Sequence, residues 1–458
     1  MLTTLWNLGA FIVTLSILVA IHEYGHFWVA RRCAVKVQRF SIGFGKVLFK
    51  YTDRLGTEFA IAAIPLGGYV KMLDGRVAPL LPGEEQFAFD KKTVWQRIAI
   101  VSAGPIANFL LAVVAFFVMF MIGVESAKPI IKTTLEDTPM GIIKNEGAFQ
   151  VTAINDQRVD DLGALNLELV SQIGESGFNI TIAPLSDDKN RRNIELTKTF
   201  KVSLQNWTFD PKKESIITSL GLLPYTPDIH LEVADLVKGE AGDKASLQVG
   251  DKLRAINGVK LTDWQEFVEL IQKNANQQLQ LEIERGTIVT TINLTPGARK
   301  IGSDSIQGYI GVSPVVDPYP DEYRVKLQFS PVNSFIKGVE KTAQLTKLTF
   351  NTLIKLVTGD ISVTNLSGPV SIAKGAGMSA DYGIGYFLGF LALISVNLGL
   401  MNLIPLPVLD GGHLLYYFAE LITGKPIPEN IQEIGFRIGA AILMVLMTIA
   451  IFNDFNLL

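Results

Sequence analysis

Cysteine occurs once in 458 residues, at Cys33, which excludes an internal disulfide framework and any cysteine-rich zinc module. Histidine occurs four times, so each one carries weight as a candidate for chemistry. Charge is also scarce. Charged residues make up 19% of the chain, and 41 basic against 44 acidic residues leave a formal charge of -3, so there is no bulk cationic field for nucleic acid. Hydrophobic residues at 48% and a positive mean hydropathy exclude disorder. The length allows roughly two to four domains.

What the chain does have is long uncharged runs: Leu5 to Ile21 continuing to Ala30, Ile98 to Val124, Tyr382 to Ile404, and roughly Ile438 to Phe452. Runs near 20 residues match the thickness of a bilayer core, so the expected fold class is a polytopic α-helical membrane protein with four transmembrane helices. No Lys or Arg precedes the first run and no small-residue cleavage pattern follows it, which argues against a signal peptide. The last run is the shortest, and a tilted or tightly packed helix is expected there. Arg31, Arg32, Lys36, Arg39, Lys46 and Lys50 follow the first run, and Lys91, Lys92 and Arg97 precede or open the second. Basic residues near membrane ends stay cytoplasmic, so 31–97 is expected inside, with both termini and the insert from about 125 to 381 outside. In a bacterium this means an inner-membrane protein with a periplasmic insert. Cys33 then lies on the reducing side.

The expected organisation is a first span at 1–30, a membrane-associated β-hairpin region at 31–97, and a second span at 98–124. Two β-rich modules follow at 125–224 and 225–315, then amphipathic helices and a loop at 316–381. The third span is 382–404, a cytoplasmic-side segment is 405–434, and the fourth span is 435–453. The β-hairpin reading rests on alternation around Gly43, Gly45, Gly67 and Gly68. The two modules rest on a weak repeat, in which residues 147–156 echo residues 249–258. Each copy reads as a strand ending in an Asn-Asp or Asn-Gly turn, followed by a helical run from near Asp161 or Asp263. Further on, Phe335, Val339, Ala343, Thr346, Phe350 and Leu353 fall at helical spacing between lysines.

The strongest chemical signal is His22-Glu23-Tyr24-Gly25-His26, set within an apolar run. A spacing of four puts both imidazoles on one helical face, where they can grip one metal ion while Glu23 reaches its water. Ionisable groups in a membrane helix are costly unless paired or bound, so a functional reading is the default. His22 lies eight residues before Ala30, about 12 Å at the helical rise, below the cytoplasmic surface. Two imidazoles leave zinc short of ligands. Asn402-Leu403-Ile404-Pro405-Leu406-Pro407-Val408-Leu409-Asp410-Gly411-Gly412-His413 supplies candidates at the end of the third run. Two prolines interrupt the helix there, as expected where irregular chain lines a polar cavity. Spacing alone favours Asp410 as third ligand and leaves His413 open. Asn402 is an uncharged donor suited to an oxyanion or a substrate carbonyl.

HExxH in the first span with NxxPxPxLDG at 402–411 resembles the site-2 proteases, the intramembrane zinc metalloproteases of peptidase family M50. Further matching stretches are 40–45, 64–71, Ala103-Gly104-Pro105-Ile106-Ala107-Asn108 and Leu366-Ser367-Gly368-Pro369, so the resemblance covers nearly the whole chain. It implies one zinc ion per chain held by His22, His26 and Asp410, with Glu23 as general base and Asn402 assisting catalysis. It also implies that the modules are PDZ-like domains, although Ser246 and Asp156 stand where glycine is usual. The bacterial branch of the family cuts anti-sigma factors in the envelope stress response. The expected substrate is therefore an anti-sigma-factor-like single-span membrane protein, with remnant signal peptides as a further class. The expected partners are that substrate and membrane lipid, with no nucleic acid, and the active site is expected near the cytoplasmic side. A substrate helix hides its carbonyls in internal hydrogen bonds, and strand addition to the 40–71 hairpins would present it unwound. The PDZ-like modules would bind trimmed tails or exclude long ectodomains. Two other classes fit parts of the sequence: a metal transporter, which has no need of Glu23, and a scaffold with a structural metal.

Overall fold

The computed structural model describes residues 2–144, 146–185, 197–205, 207–209, 214–301, 305–359 and 367–455. Leu366 of the motif quoted above lies outside them. Among the described residues, four helices are long and apolar enough to cross a membrane. The first, α1 (Leu2–Arg32), is 31 residues long and carries the HExxH segment near its C-terminal end. The second, α2 (Val94–Ile122), begins before the apolar run at Ile98, because Thr93 caps it in a reciprocal pair with Gln96. The third span is Ile384–Asn402 and the fourth is Glu429–Asp454.

The fourth span is 26 residues long and the third 19, so the order of lengths expected from the apolar runs is reversed. A hydropathy run stops at charge, whereas a helix continues through it. Glu433 and Arg437 pair at i,i+4 within the first turns of the fourth helix. The third helix stops at Asn402 because Pro405 disfavours helical backbone at the residue before it.

Between the first two spans lie two long bent strands, β1 (Val37–Thr52) and β2 (Glu58–Met72). Residues 39–42 are flanked on both sides, by 68–71 and by 58–61, so the two strands double back into a small sheet. Residues 68–71 form its outer margin beside α1. Gly68 lies against Val19 and Glu23 of that helix, where a Cβ would come within 2.8 Å of Val19 Cγ1 and 3.0 Å of Glu23 Cγ.

The long insert holds two six-stranded sheets of matching order, each a path of five strands with a two-residue sixth, Gln157–Arg158 or Val259–Lys260, paired to the middle strand. In the first, the path runs Lys198–Ser203, Gly177–Pro184, Phe149–Ile154, Ile130–Thr134, Leu222–Pro224. In the second it runs Ile288–Leu294, Leu279–Arg285, Lys252–Ile256, Ile229–Leu236, Val312–Val316. Each has a ten-residue helix capped by an aspartate, Asp161 on Leu162–Ser171 and Asp263 on Trp264–Lys273, as the repeat predicted. The turns differ as their residues require. Asn257 and Gly258 both have positive φ, at 50° and 82°, whereas in the first module only Asn155 does, at 51°. Asp156 avoids the left-handed region that glycine enters freely.

The amphipathic segment is a continuous helix, Pro331–Thr358, packed against α2 and the third span. It also clamps the first module. Gln344 donates to Glu168, and Lys355 Nζ donates to the carbonyl of Ser171 at 3.3 Å.

Candidate metal centre

His22 and His26 project from one face of α1 toward α2. Gly104 of α2 lies directly beneath both rings, with the space for its missing Cβ filled by them. This explains a glycine in the middle of a membrane helix better than flexibility does. The His26 ring is buried, and its Nδ1–H donates to the carbonyl of Ile100 at 2.9 Å. That bond fixes the tautomer and leaves Nε2 as a lone pair pointing into the cluster.

The third member arrives from the far end of the chain. After Asn402 the backbone leaves helical geometry, and a new helix, Asp410–Thr423, begins at Asp410. Gly411 and Gly412 pack so tightly on the carbonyls of Leu403, Ile404 and Leu406 that no side chain fits at either position. The turn therefore delivers the Asp410 carboxylate to the histidines. Asp410 Oδ2 lies 3.2 Å from His22 Nε2 and 3.4 Å from His26 Nε2, and the two Nε2 atoms are 3.2 Å apart.

These three edges decide what the group fits. Zinc bonds of about 2.0–2.2 Å in tetrahedral directions place ligand atoms about 3.3–3.6 Å apart. The observed triangle is close to that size, and Asp410 Oδ2 is buried without a hydrogen-bond donor. Two lone-pair nitrogens around such an oxygen make a donor set for a cation. His413, the competitor by spacing, is exposed on the same helix and stands outside the cluster. Glu23 sits beside it, with the backbone N–H of Val70, on the margin of the small sheet, facing its carboxylate. Asn402 closes the third span, and among the described residues no hydrogen bond joins it to His22, His26 or Asp410.

Two contacts at the site were not anticipated from the sequence. Arg97 at the start of α2 pairs with Glu420 at 2.6 Å and lies over the Tyr417 ring at 4.9 Å, which fastens the Asp410–Thr423 helix to α2. Its only sequence signal is an arginine opening an apolar run. The other is Asn108, whose amide contacts His22. It appeared in the matching stretch of α2, and a lone amide among apolar residues is the signal that marks it.

Comparison with known proteins gives the family. A model of peptidase family M50 matches residues 10–446. The chain is 46% identical over 456 residues to the regulator of sigma-E protease RseP of Escherichia coli K12, covering 100% of both chains. It is 46% identical over 455 residues to a putative zinc metalloprotease of Vibrio cholerae, covering 99% of each, and 46% identical over 456 residues to protease RseP of Yersinia pestis. The chain belongs to peptidase family M50. It is a zinc metalloendopeptidase.

Proposed function

We propose that this chain is an intramembrane protease that cuts single-span membrane proteins within or near their spanning helices. His22, His26 and Asp410 hold one zinc ion, Glu23 is the general base and Asn402 assists catalysis. The observation that carries this reading is the triangle of ligand atoms, with edges of 3.2, 3.2 and 3.4 Å, assembled from two segments almost 400 residues apart.

When bound, zinc supplies Lewis acidity that polarises a peptide carbonyl and acidifies water. The protein's own groups do the rest. Glu23, placed by Val70 and Gly68, takes the proton of the attacking water and passes it to the leaving amine. Asn402 offers amide N–H groups to the carbonyl oxygen as charge develops on it. The margin formed by residues 68–71 runs past Glu23 and suits strand addition by an unwound substrate segment, which satisfies the backbone groups exposed by unwinding.

The arrangement in the membrane follows the basic residues: 31–97 and the active site toward the cytoplasm, termini and modules in the periplasm, all in a bacterial inner membrane. The two modules are PDZ-like domains at 125–224 and 225–315. Their sheets end in the strands Leu222–Pro224 and Val312–Val316, and the modules bind trimmed tails by strand addition or exclude long ectodomains. Relatives named as regulators of sigma E support an anti-sigma factor as the substrate.

The test is cleavage of a short-ectodomain, single-span reporter by detergent-purified protein, comparing wild type with Glu23→Gln and quantifying zinc in both. Zinc near one per chain in both, with cleavage by wild type alone, is expected. Cleavage by the Glu23→Gln protein at the wild-type rate would remove Glu23 from the mechanism.

A further inference from the structure

The metal site borrows its orientation from α2, and one of the two contacts is a side chain. Asn108 is completely buried in α2, and its amide lies 3.1 Å from Nδ1 of His22. It is held from the other side by the third span, where Ser395 Oγ donates to the Asn108 backbone carbonyl at 2.8 Å. Gly399 leaves the room that the Asn108 side chain needs, since a Cβ there would come within 3.3 Å of Asn108 Cβ.

Which amide atom faces the ring decides what His22 can do. If Nδ2 donates to Nδ1, the imidazole proton sits on Nε2, and Nε2 has no lone pair for a metal. That orientation also leaves Asn108 Oδ1 buried with no partner. The opposite orientation occupies the same space. It lets Oδ1 accept from Nδ1–H and turns the Nε2 lone pair toward Asp410 Oδ2, 3.2 Å away, while Nδ2 takes the buried position that Oδ1 leaves. His26 already has the equivalent arrangement through the Ile100 carbonyl.

We infer that Asn108 is a positioning residue for the zinc site: its amide oxygen accepts from His22 Nδ1–H and thereby fixes the tautomer and the ring direction that metal binding requires. The inference rests on the reading of His22 as a zinc ligand. The two imidazoles of α1 are then both set by α2, one through a backbone carbonyl and one through a side-chain amide, so packing of the two helices and competence for zinc are a single property.

The experiment measures zinc dissociation constants of the full-length, detergent-purified protein by competition with a chromophoric chelator. The proteins are wild type, His22→Ala, Asn108→Leu and Asn108→Asp. Leucine matches the size of asparagine without an acceptor, and aspartate keeps an oxygen in reach of Nδ1–H. Loss of a partner of this kind weakens metal affinity by about 10–100-fold. The expected result is that loss for Asn108→Leu with affinity retained by Asn108→Asp. A misfolded fraction lowers the zinc stoichiometry without altering the dissociation constant of the remainder, and Asn108→Ala replaces the leucine variant if that protein does not fold. Wild-type affinity in Asn108→Leu, or equal losses in the leucine and aspartate variants, would overturn the inference while leaving His22 as a ligand. Wild-type affinity in His22→Ala would overturn the ligand reading itself.

Discussion

Adding one methyl group at Gly104 is the sharpest perturbation of the site, because it replaces neither a ligand residue nor a charge. A Cβ there would stand 2.6 Å from His26 Cε1 and 2.8 Å from His22 Cε1, and would overlap His26 Nε2. Ordinary carbon contacts begin near 3.5 Å, so the His22 ring must retreat by about 0.7 Å and the His26 ring by about 1 Å or more. They have little freedom to do so. His26 is tied to the Ile100 carbonyl, and α1 and α2 are already in contact where Gly25 meets the backbone of Ala103. A displacement near 1 Å in catalytic geometry costs about 100-fold in rate, or about 2.7 kcal/mol of transition-state stabilisation. The helix itself gains from the change, since alanine exceeds glycine by up to about 1 kcal/mol in helix propensity. That gain offsets only part of an overpacking cost of about 1–3 kcal/mol, so the Gly104→Ala protein is expected to fold with a modest loss of stability, to cleave a single-span reporter about 100-fold more slowly, and to bind zinc more weakly in chelator competition. Gly9→Ala on α1, where nothing approaches within 4 Å, is the control and should match wild type. A Gly104→Ala protein with unchanged cleavage and zinc affinity would refute the claim that the rings rest on this glycine.

Three further outcomes are expected. Arg97→Ala leaves Glu420 partly buried without its partner, which should cost about 3–5 kcal/mol and loosen the helix that carries Asp410; a thermal shift of the purified protein reads it, and Arg97→Met combined with Glu420→Leu should recover much of the loss. Burial alone would raise the carboxyl of Asp251, but two 2.7 Å bonds from Arg285 and one from the Gln248 N–H hold it below the usual carboxylate range. A depressed folded-state value adds stability above the unfolded value of about 3.9, and that stability is lost as pH falls through the folded value, so melting of the second module should drop steeply below about pH 4, and less steeply in Asp251→Asn. Ser246 holds φ at 63°, a conformation that costs most residues about 1–2 kcal/mol, so Ser246→Gly should raise that module's melting temperature in calorimetry; a fall would show that the Ser246 side chain contributes more than its backbone costs.

The sequence by itself determined the main elements and the family. Uncharged runs are local, and they located four helices long and apolar enough to cross a membrane, because a bilayer demands length and apolarity of each segment separately. The spacing of His22 and His26 is also local, since four residues on a helix share a face regardless of what surrounds it. The Asp161 and Asp263 caps and the Asn turns could be read for the same reason. Helix ends were less legible, because hydropathy stops at charges such as Glu433 that a helix absorbs through pairing.

Tertiary structure alone decided what converges. Asp410 rather than His413 reaches the histidines because the chain breaks helical geometry between Asn402 and Asp410 and packs through Gly411 and Gly412, a path that no spacing rule encodes. Gly104, Ile100 and Asn108 surround the two rings because α2 crosses α1 at that level, which depends on how two helices pack. Ligand identity is a property of residues. Ligand direction is a property of the neighbours that hold them, and those neighbours are distant in the chain.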